Sequence, residues 1–311
     1  DNAIPTAAYG EFTSVDSELD YLQEQSMTIF IKADGLAAGK GVVIAQTHEQ
    51  AKQTVIDMIS GNEHGDAGKK IVIEEFIEVE ELSFICLVDH FTIIPLACSQ
   101  DHKALDAGDL GHYTGGMCAY SPSPLVTDEL HKRIMHEVIQ PTVEGFGNLG
   151  HPYQGFLYAG LMITPAGVPK VLEFNCRFGD PETQPIMMRM KSDLSQLCYD
   201  AALNRLEQQS LEWDSKSALG VVLAAGGYPL AYRKGDSIKG LDMIADGSTK
   251  VFHAGTVMEN DEIKTSGGRV LCVTALGDDI KQAQQSAYRA VANINWKDMY
   301  YRDDIGYRAI R

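Results

Sequence analysis

The chain has 311 residues, with 26 basic and 43 acidic side chains, a formal net charge of −17, 44% hydrophobic and 22% charged residues. At about 150 residues per domain this length predicts two domains, and the apolar content excludes a disordered chain. The negative charge argues against nonspecific partnership with nucleic acid or an anionic membrane surface.

In chain order, residues 28–32 and 42–45 are apolar runs flanking Gly35, Gly39 and Gly41, which predicts a hairpin with a glycine-rich connection. Thr47 and Gln50 form a capping box for a helix through Ile59, with Ala51, Val55 and Met58 facing a sheet. Strands are expected at 71–73, 84–88 and 92–97, and their short connections require antiparallel pairing. Residues 99–124 are rich in Gly, Asp, Ser and Pro, and are expected to lack regular structure and to serve function. A helix over 128–143 follows, its end disturbed by Pro141, then strands over 156–163 and 168–174 and a helix capped by Asp193. A change of character at 208–217 precedes strands at 219–224, 250–253 and 269–274 and a helix over 278–291.

The expected class is therefore α+β with antiparallel sheets. Residues 1–207 form a larger region, with a small lid over about 28–80, and 208–311 a smaller α+β domain. No stretch reaches the roughly 18 uncharged apolar residues of a membrane-spanning helix. Cys86, Cys98, Cys118, Cys176, Cys198 and Cys272 show no CxxC pairing, so they read as reduced thiols in a cytoplasmic protein, with Cys176 packed at a strand end.

Three segments carry chemistry. In Lys32-Ala33-Asp34-Gly35-Leu36-Ala37-Ala38-Gly39-Lys40-Gly41, glycines let backbone amides approach phosphate oxygens, and Lys32 and Lys40 can neutralise them. Gly41 after Lys40 breaks the Walker pattern, and a plain hairpin with solvated lysines reads equally well. The run from Val72 to Glu81 is a strand entering carboxylates, able to offer a backbone edge to adenine and an acid to ribose, or merely an acidic turn. In the run from Val171 to Glu182, strand alternation puts Glu173 and Asn175 on one face, about 6 to 7 Å apart, with Leu172 and Phe174 opposite in a core. A carboxylate and an amide oxygen are hard donors that suit Mg²⁺, and Arg177 can hold a phosphate through its fork. A solvated strand face is the plainer alternative.

These strings, with Ser99-Gln100-Asp101-His102-Lys103, Thr114-Gly115-Gly116-Met117 and His253-Ala254-Gly255-Thr256, occur in an order that resembles the ATP-grasp superfamily over essentially the whole chain. Within it the chain is most similar to the phosphoribosylamine–glycine ligase (glycinamide ribonucleotide synthetase) family. The resemblance implies ligation of glycine to 5-phosphoribosylamine through glycyl phosphate, with ATP cleaved to ADP and phosphate and the nucleotide enclosed by antiparallel sheets. It implies Lys32 on the nucleotide phosphates and Gly35, Gly39, Lys40 and Gly41 in a covering loop. Glu74 and Ile77 would lie at an adenine hinge, with Glu81 on ribose. Glu173 and Asn175 would hold Mg²⁺ or Mn²⁺, beside Arg177 at the transferred phosphate. Asp101, His102, Lys103, Gly115, Gly116, Asp180, Pro181 and Glu182 would surround the amine and the amino acid, His102 as base or as positioning group.

The resemblance further implies a monomer without nucleic-acid or membrane partners. It also implies an N-terminal domain that has no counterpart string here and that a complete site would need. Another ATP-grasp carboxylate–amine ligase, or an ATP-binding fragment, would keep the same nucleotide residues. His112 and Tyr113 replace the family's Pro and small amide, and Cys118 fills a glycine position, implying strain of about 1 to 2 kcal/mol if its φ is positive.

Overall fold

A computed structural model describes residues 2–24, 28–35, 42–61, 65–77, 80–90, 92–244 and 247–310, with backbone only for Asp16 and Glu18. Gly39, Lys40 and Gly41 lie outside the described residues.

The first layer is built from short strands of alternating character. β1 (Tyr9–Phe12), α1 (Val15–Glu24), β2 (Ile29–Ala33), β3 (Val42–Ala45), α2 (His48–Ile59) and β4 (Ile71–Glu75) form an antiparallel sheet of order β1-β4-β2-β3. Ile29, Ile31, Ile71 and Ile73 bury against Leu22 of α1 and Ala51, Val55 and Met58 of α2. Phe30, Lys32 and Glu74 are out of phase with them and share the other face. The cap of α2 is as expected at Thr47, whose hydroxyl accepts from Gln50 N at 3.2 Å, while Gln50 reaches back to Gln46 N at 3.0 Å. The sheet recruits β1 in addition to the 28–80 span.

The second layer is central. β5 (Glu80–Asp89), β6 (Ile93–Pro95), β11 (Gln154–Ile163) and β12 (Pro169–Asn175) pair antiparallel in the order β12-β11-β5-β6. Between them in sequence run β7 (Gln100–Asp101), β8 (Ala104–Asp106), β9 (Leu110–Tyr113), β10 (Cys118–Ser121), α3 (Asp128–Ile134) and α4 (Gln140–Asn148). Residues 99–124 thus hold four strands where none was expected. β10 finds its partner in β13 (Ser217–Ala224), about a hundred positions away, a pairing that no local pattern discloses. Cys118 lies in this strand opposite Val221 and outside the positive-φ residues, so the anticipated strain does not arise.

The disturbance expected at Pro141 takes the form of a π turn rather than an end. Met135–Ile139 is a π turn closed by Gln140 N on Met135 O; Pro141 follows it without an N–H to give to that turn, and the helix runs on as α4. Leu130, Ile134, Val138 and Val143 from this helical stretch cover Leu82, Phe84, Cys86, Leu157, Ala159 and Leu161 of the sheet. At one end of the opposite face, α5 (Thr183–Arg189) and α6 (Leu194–Ala202) cover Ile85, Leu87 and Tyr158. The register slips between Gly160 and Leu161, so Leu172 is an extra residue in β12. Phe174 stays 37% exposed rather than joining a core, and Cys176 is exposed rather than packed.

The third sheet runs β14-β17-β13-β10-β7, from β13, β14 (Thr249–His253) and β17 (Arg269–Gly277), with α7 (Ile280–Val291) packed on it. The hairpin of β15 (Thr256–Glu259) and β16 (Glu262–Thr265) completes the strands. Because β7 and β10 come from residues 100–121, this sheet crosses the 207/208 division in sequence. All six cysteines are free thiols. Among the described residues, no helix is long and apolar enough to cross a membrane.

Candidate active site

Strand parity assembles the polar face. In β5, Leu82, Phe84 and Cys86 point into the helix-covered core, which turns Glu81 and Ser83 to the other side. Gly160 of β11 pairs with Ser83 and Tyr158 with Ile85, so they share that side. In β12, Glu173 opposes Gly160 and Asn175 opposes Tyr158. Glu81, Ser83, Tyr158, Glu173 and Asn175 therefore line one face of three adjacent strands. A Cβ on Gly160 would come within 3.2 Å of Glu173 Cγ and 3.4 Å of Tyr158 Cε1, so glycine keeps that surface open.

The side chains of Glu173 and Asn175 bond to no described residue. Two hard oxygen donors on one face, uncommitted to the protein, suit a divalent ion whose remaining positions are filled by phosphate and water. No set of three His, Cys, Asp or Glu converges as an all-protein cage among the described residues. Arg177, exposed just beyond the strand, donates to Phe178 O at 2.8 Å.

Beside this face lies a buried charge cluster. Lys103 Nζ is 2.9 Å from Glu81 Oε1 and 3.1 Å from Asp101 Oδ2. Ser83 Oγ donates to Glu182 Oε1 at 2.8 Å and lies 3.0 Å from Tyr158 Oη. Two carboxylates thus pair with one ammonium, and Glu182 adds its charge nearby. Burial pushes the Asp101 carboxyl up to about 8, with Glu182 and Glu81 adding and Lys103 opposing. Burial disfavours the Lys103 charge, but Glu81 and Asp101 hold its pKa well above the ordinary value. Asp101 Oδ1 has no hydrogen-bond partner among the described residues.

Two loops close on the cluster. Gly116 has φ +115°, and a Cβ there would meet Pro181 Cδ at 2.4 Å and both Asp101 carboxylate oxygens at 2.8 Å, so only glycine fits. Gly115, Gly116, Asp180, Pro181 and Glu182 are thus brought together with Asp101 and Lys103. His102 is not. Its ring is 0% exposed, Nε2 accepts from Gly306 N at 3.3 Å, and Nδ1 faces Asp109 Oδ1 at 3.2 Å. Both nitrogens are committed, and burial lowers its pKa. In this arrangement neither ring nitrogen is open to a substrate.

On the lid, Lys32 Nζ sits 2.6 Å from Glu74 Oε2, so two residues assigned to different parts of a nucleotide meet each other. Gly35 donates its amide to Ala67 O at 3.1 Å, and a Cβ there would be 2.5 Å from Ala67 Cα. Close backbone packing is by itself a reason for glycine there. Ile77, half-buried past the end of β4, makes no backbone bond to a described residue, leaving its edge available to a base. A cavity of about 1070 Å³ separates Val42, Ile44 and Phe76 of the lid from Leu110, His112 and Tyr113 of the β8–β9 hairpin.

Sequence reasoning missed Ser83, Tyr158 and Arg269. Ser83 follows Glu81 by two positions and was accessible through alternation; Tyr158 and Arg269 reach the site only through tertiary pairing.

Residues 1–183 match the phosphoribosylglycinamide synthetase ATP-grasp (A) domain and residues 218–308 the C domain of the same synthetase. A phosphoribosylamine–glycine ligase of Vibrio parahaemolyticus is 57% identical over 307 residues, covering 99% of this chain and 72% of that protein. One from Escherichia coli K12 is 57% identical over 308 residues with the same coverage. The crystal structure of phosphoribosylamine–glycine ligase from Thermotoga maritima superposes with a TM-score of 0.88 at 31% identity, covering 97% of this chain and 75% of that one. A biotin carboxylase domain from Hydrogenobacter thermophilus, solved with MgADP, shares the fold with a TM-score of 0.73 at 16% identity.

Proposed function

This chain belongs to the phosphoribosylglycinamide synthetase family, and we propose that it joins glycine to 5-phosphoribosylamine at the polar face of its central sheet. The observation that carries the site assignment is the shared face of Glu81, Ser83, Tyr158, Glu173 and Asn175, bordered by the Asp101–Lys103 cluster.

A glycine carboxylate is a poor acyl donor, so its oxygen first attacks the terminal phosphorus of ATP, and the bond to ADP breaks. The amine of phosphoribosylamine then attacks the acyl carbon of glycyl phosphate. Inorganic phosphate leaves, and the amine proton passes to solvent or to the departing phosphate. Lys32 and Arg177 neutralise the transferring phosphoryl oxygens. Glu173 and Asn175 are the residues that would hold Mg²⁺, which supplies further charge neutralisation when bound. Glu81 accepts from ribose, and the Ile77 backbone meets the base. The carboxylates about Lys103 favour an incoming ammonium, and the lid excludes water from the acyl phosphate.

A monomeric state, a cytoplasmic location and acceptance of Mn²⁺ belong to the same proposal. So does completion of the phosphoribosylamine side by residues outside the 72% of relatives' length that this chain spans.

ADP release from Mg-ATP that requires both glycine and phosphoribosylamine is the expected result. Release that ignores either substrate, or that prefers another carboxylic acid, overturns the reading. ATP titration tests the nucleotide half separately.

A further inference from the structure

We propose that Arg269, from the C-terminal unit, is a positioning residue for the amine and amino-acid side of the site. This rests on the ligase reading above.

Arg269 opens β17, where its backbone pairs with Ala224 and its carbonyl accepts from Gly255 N at 3.0 Å. The base of the side chain is thus anchored through the backbone, by one strand pairing and one bond from a bend. Its guanidinium reaches across to loops that are far away in sequence. Nη1 donates to Gly115 O at 2.8 Å, Gly116 O at 3.2 Å and Asp180 O at 2.9 Å, and Nη2 to Asp180 Oδ2 at 3.0 Å. Four acceptors on two loops thus converge on one planar cation.

The consequence is geometric. Two consecutive carbonyls turned toward one guanidinium fix both peptide planes of the Gly115–Gly116 pair. Those planes hold Gly116 at φ +115°, with its backbone pressed against the Asp101 carboxylate and Pro181. From the other side, Tyr228 Oη accepts from Gly115 N at 3.2 Å, so the C-terminal unit grips the loop twice. Asp180 leads directly into Pro181 and Glu182, whose carboxylate receives the Ser83 hydroxyl. Arg269 therefore sets the distance between the Asp101 and Glu182 sides of the cluster without itself belonging to it. A lysine in its place has no fixed fork to satisfy adjacent carbonyls and a carboxylate together. The arginine is also 23% exposed, so it is not an interior strut of the fold.

The test compares Arg269→Gln, Arg269→Lys and Tyr228→Phe with the unchanged protein. Arg269→Gln is expected to raise KM for glycine and for phosphoribosylamine by about 10- to 100-fold while the ATP dissociation constant stays put. Arg269→Lys recovers part of that loss, and Tyr228→Phe shows a smaller change in the same direction. Amide hydrogen exchange at residues 115–117 speeds up in Arg269→Gln. Unaltered KM values with unaltered exchange overturn the proposal, as does a fall in thermal midpoint with KM values intact. If the unchanged protein shows no glycine-dependent turnover, the ligase reading fails, and the exchange measurement alone still decides whether Arg269 orders the loop.

Discussion

Arg302 Nη1 lies 2.9 Å from Asp109 Oδ1, with the arginine side chain fully buried. The same guanidinium forks onto Asp304 at 2.8 and 2.7 Å and reaches Ala104 O at 3.0 Å. Asp304 accepts from Gly108 N at 2.8 Å, and Tyr300 Oη donates to Leu105 O at 3.0 Å. The C-terminal segment thus fastens the β8–β9 hairpin that faces the lid. Although burial opposes it, hydrogen bonds from His102, Tyr307 and Arg302 hold the Asp109 carboxyl well below the usual range.

Arg302→Met is expected to destabilise the protein by about 1.5 to 3 kcal/mol, because Asp304 and Ala104 O lose their charged donor, while Asp109 keeps Arg308 and Tyr307. Urea denaturation measures this. Tyr307→Phe, which removes one exposed-edge hydroxyl from Asp109, should cost far less.

On the proposed reading Lys32, paired with Glu74 in this structure, exchanges it for phosphate when nucleotide binds. Lys32→Ala should weaken ATP binding by about 10- to 100-fold, the loss of one charge-assisted contact of about 1.5 to 3 kcal/mol. Glu74→Gln removes the competing acid and should leave binding intact. Titration calorimetry reads both, and an unchanged Lys32→Ala affinity speaks against the phosphate assignment.

Glu173→Ala and Asn175→Ala should each lower kcat by about 100-fold or more, through lost stabilisation of charge in the transition state. Neither side chain bonds to a described residue, so unfolding free energy should stay within about 0.5 kcal/mol of the unchanged protein. Chelating the divalent ion should abolish turnover in the same way while leaving the fold in place.

Asp101 makes stability depend on pH in an unusual direction. Its pKa is raised to about 8 in the folded protein, so between the unfolded carboxylate value and that point the native state carries a proton that the unfolded chain has lost. Stability from this group is present in acid and declines as pH rises toward 8. Glu81, Glu182 and Lys103 are the charged groups that face it. Asp101→Asn should flatten the slope of urea midpoint against pH from about 5 to about 8, gaining on the unchanged protein as pH rises. Parallel slopes count against the raised value.

Local pattern carried a good deal of this protein. The cap at Thr47, the buried Ala51, Val55 and Met58, the cap at Asp193 and the common side of Glu173 and Asn175 all follow from spacing along one element. Capping and alternation involve groups a few residues apart, so the chain itself displays them.

Pairing decided the rest. β10 is a strand because β13 lies beside it, Leu172 is extra because β11 sets the register, and His102 is buried because Gly306 and Asp109 close around it. Arg269 looks like any strand-initial arginine until the Gly115 and Asp180 loops arrive at its guanidinium. Residue types and their local order determined which chemistry the chain can perform, since donors, acceptors and glycines are covalent facts. Which of them meet was left to the tertiary structure, because hydrogen bonds and burial between distant segments exist only after the sheets have paired.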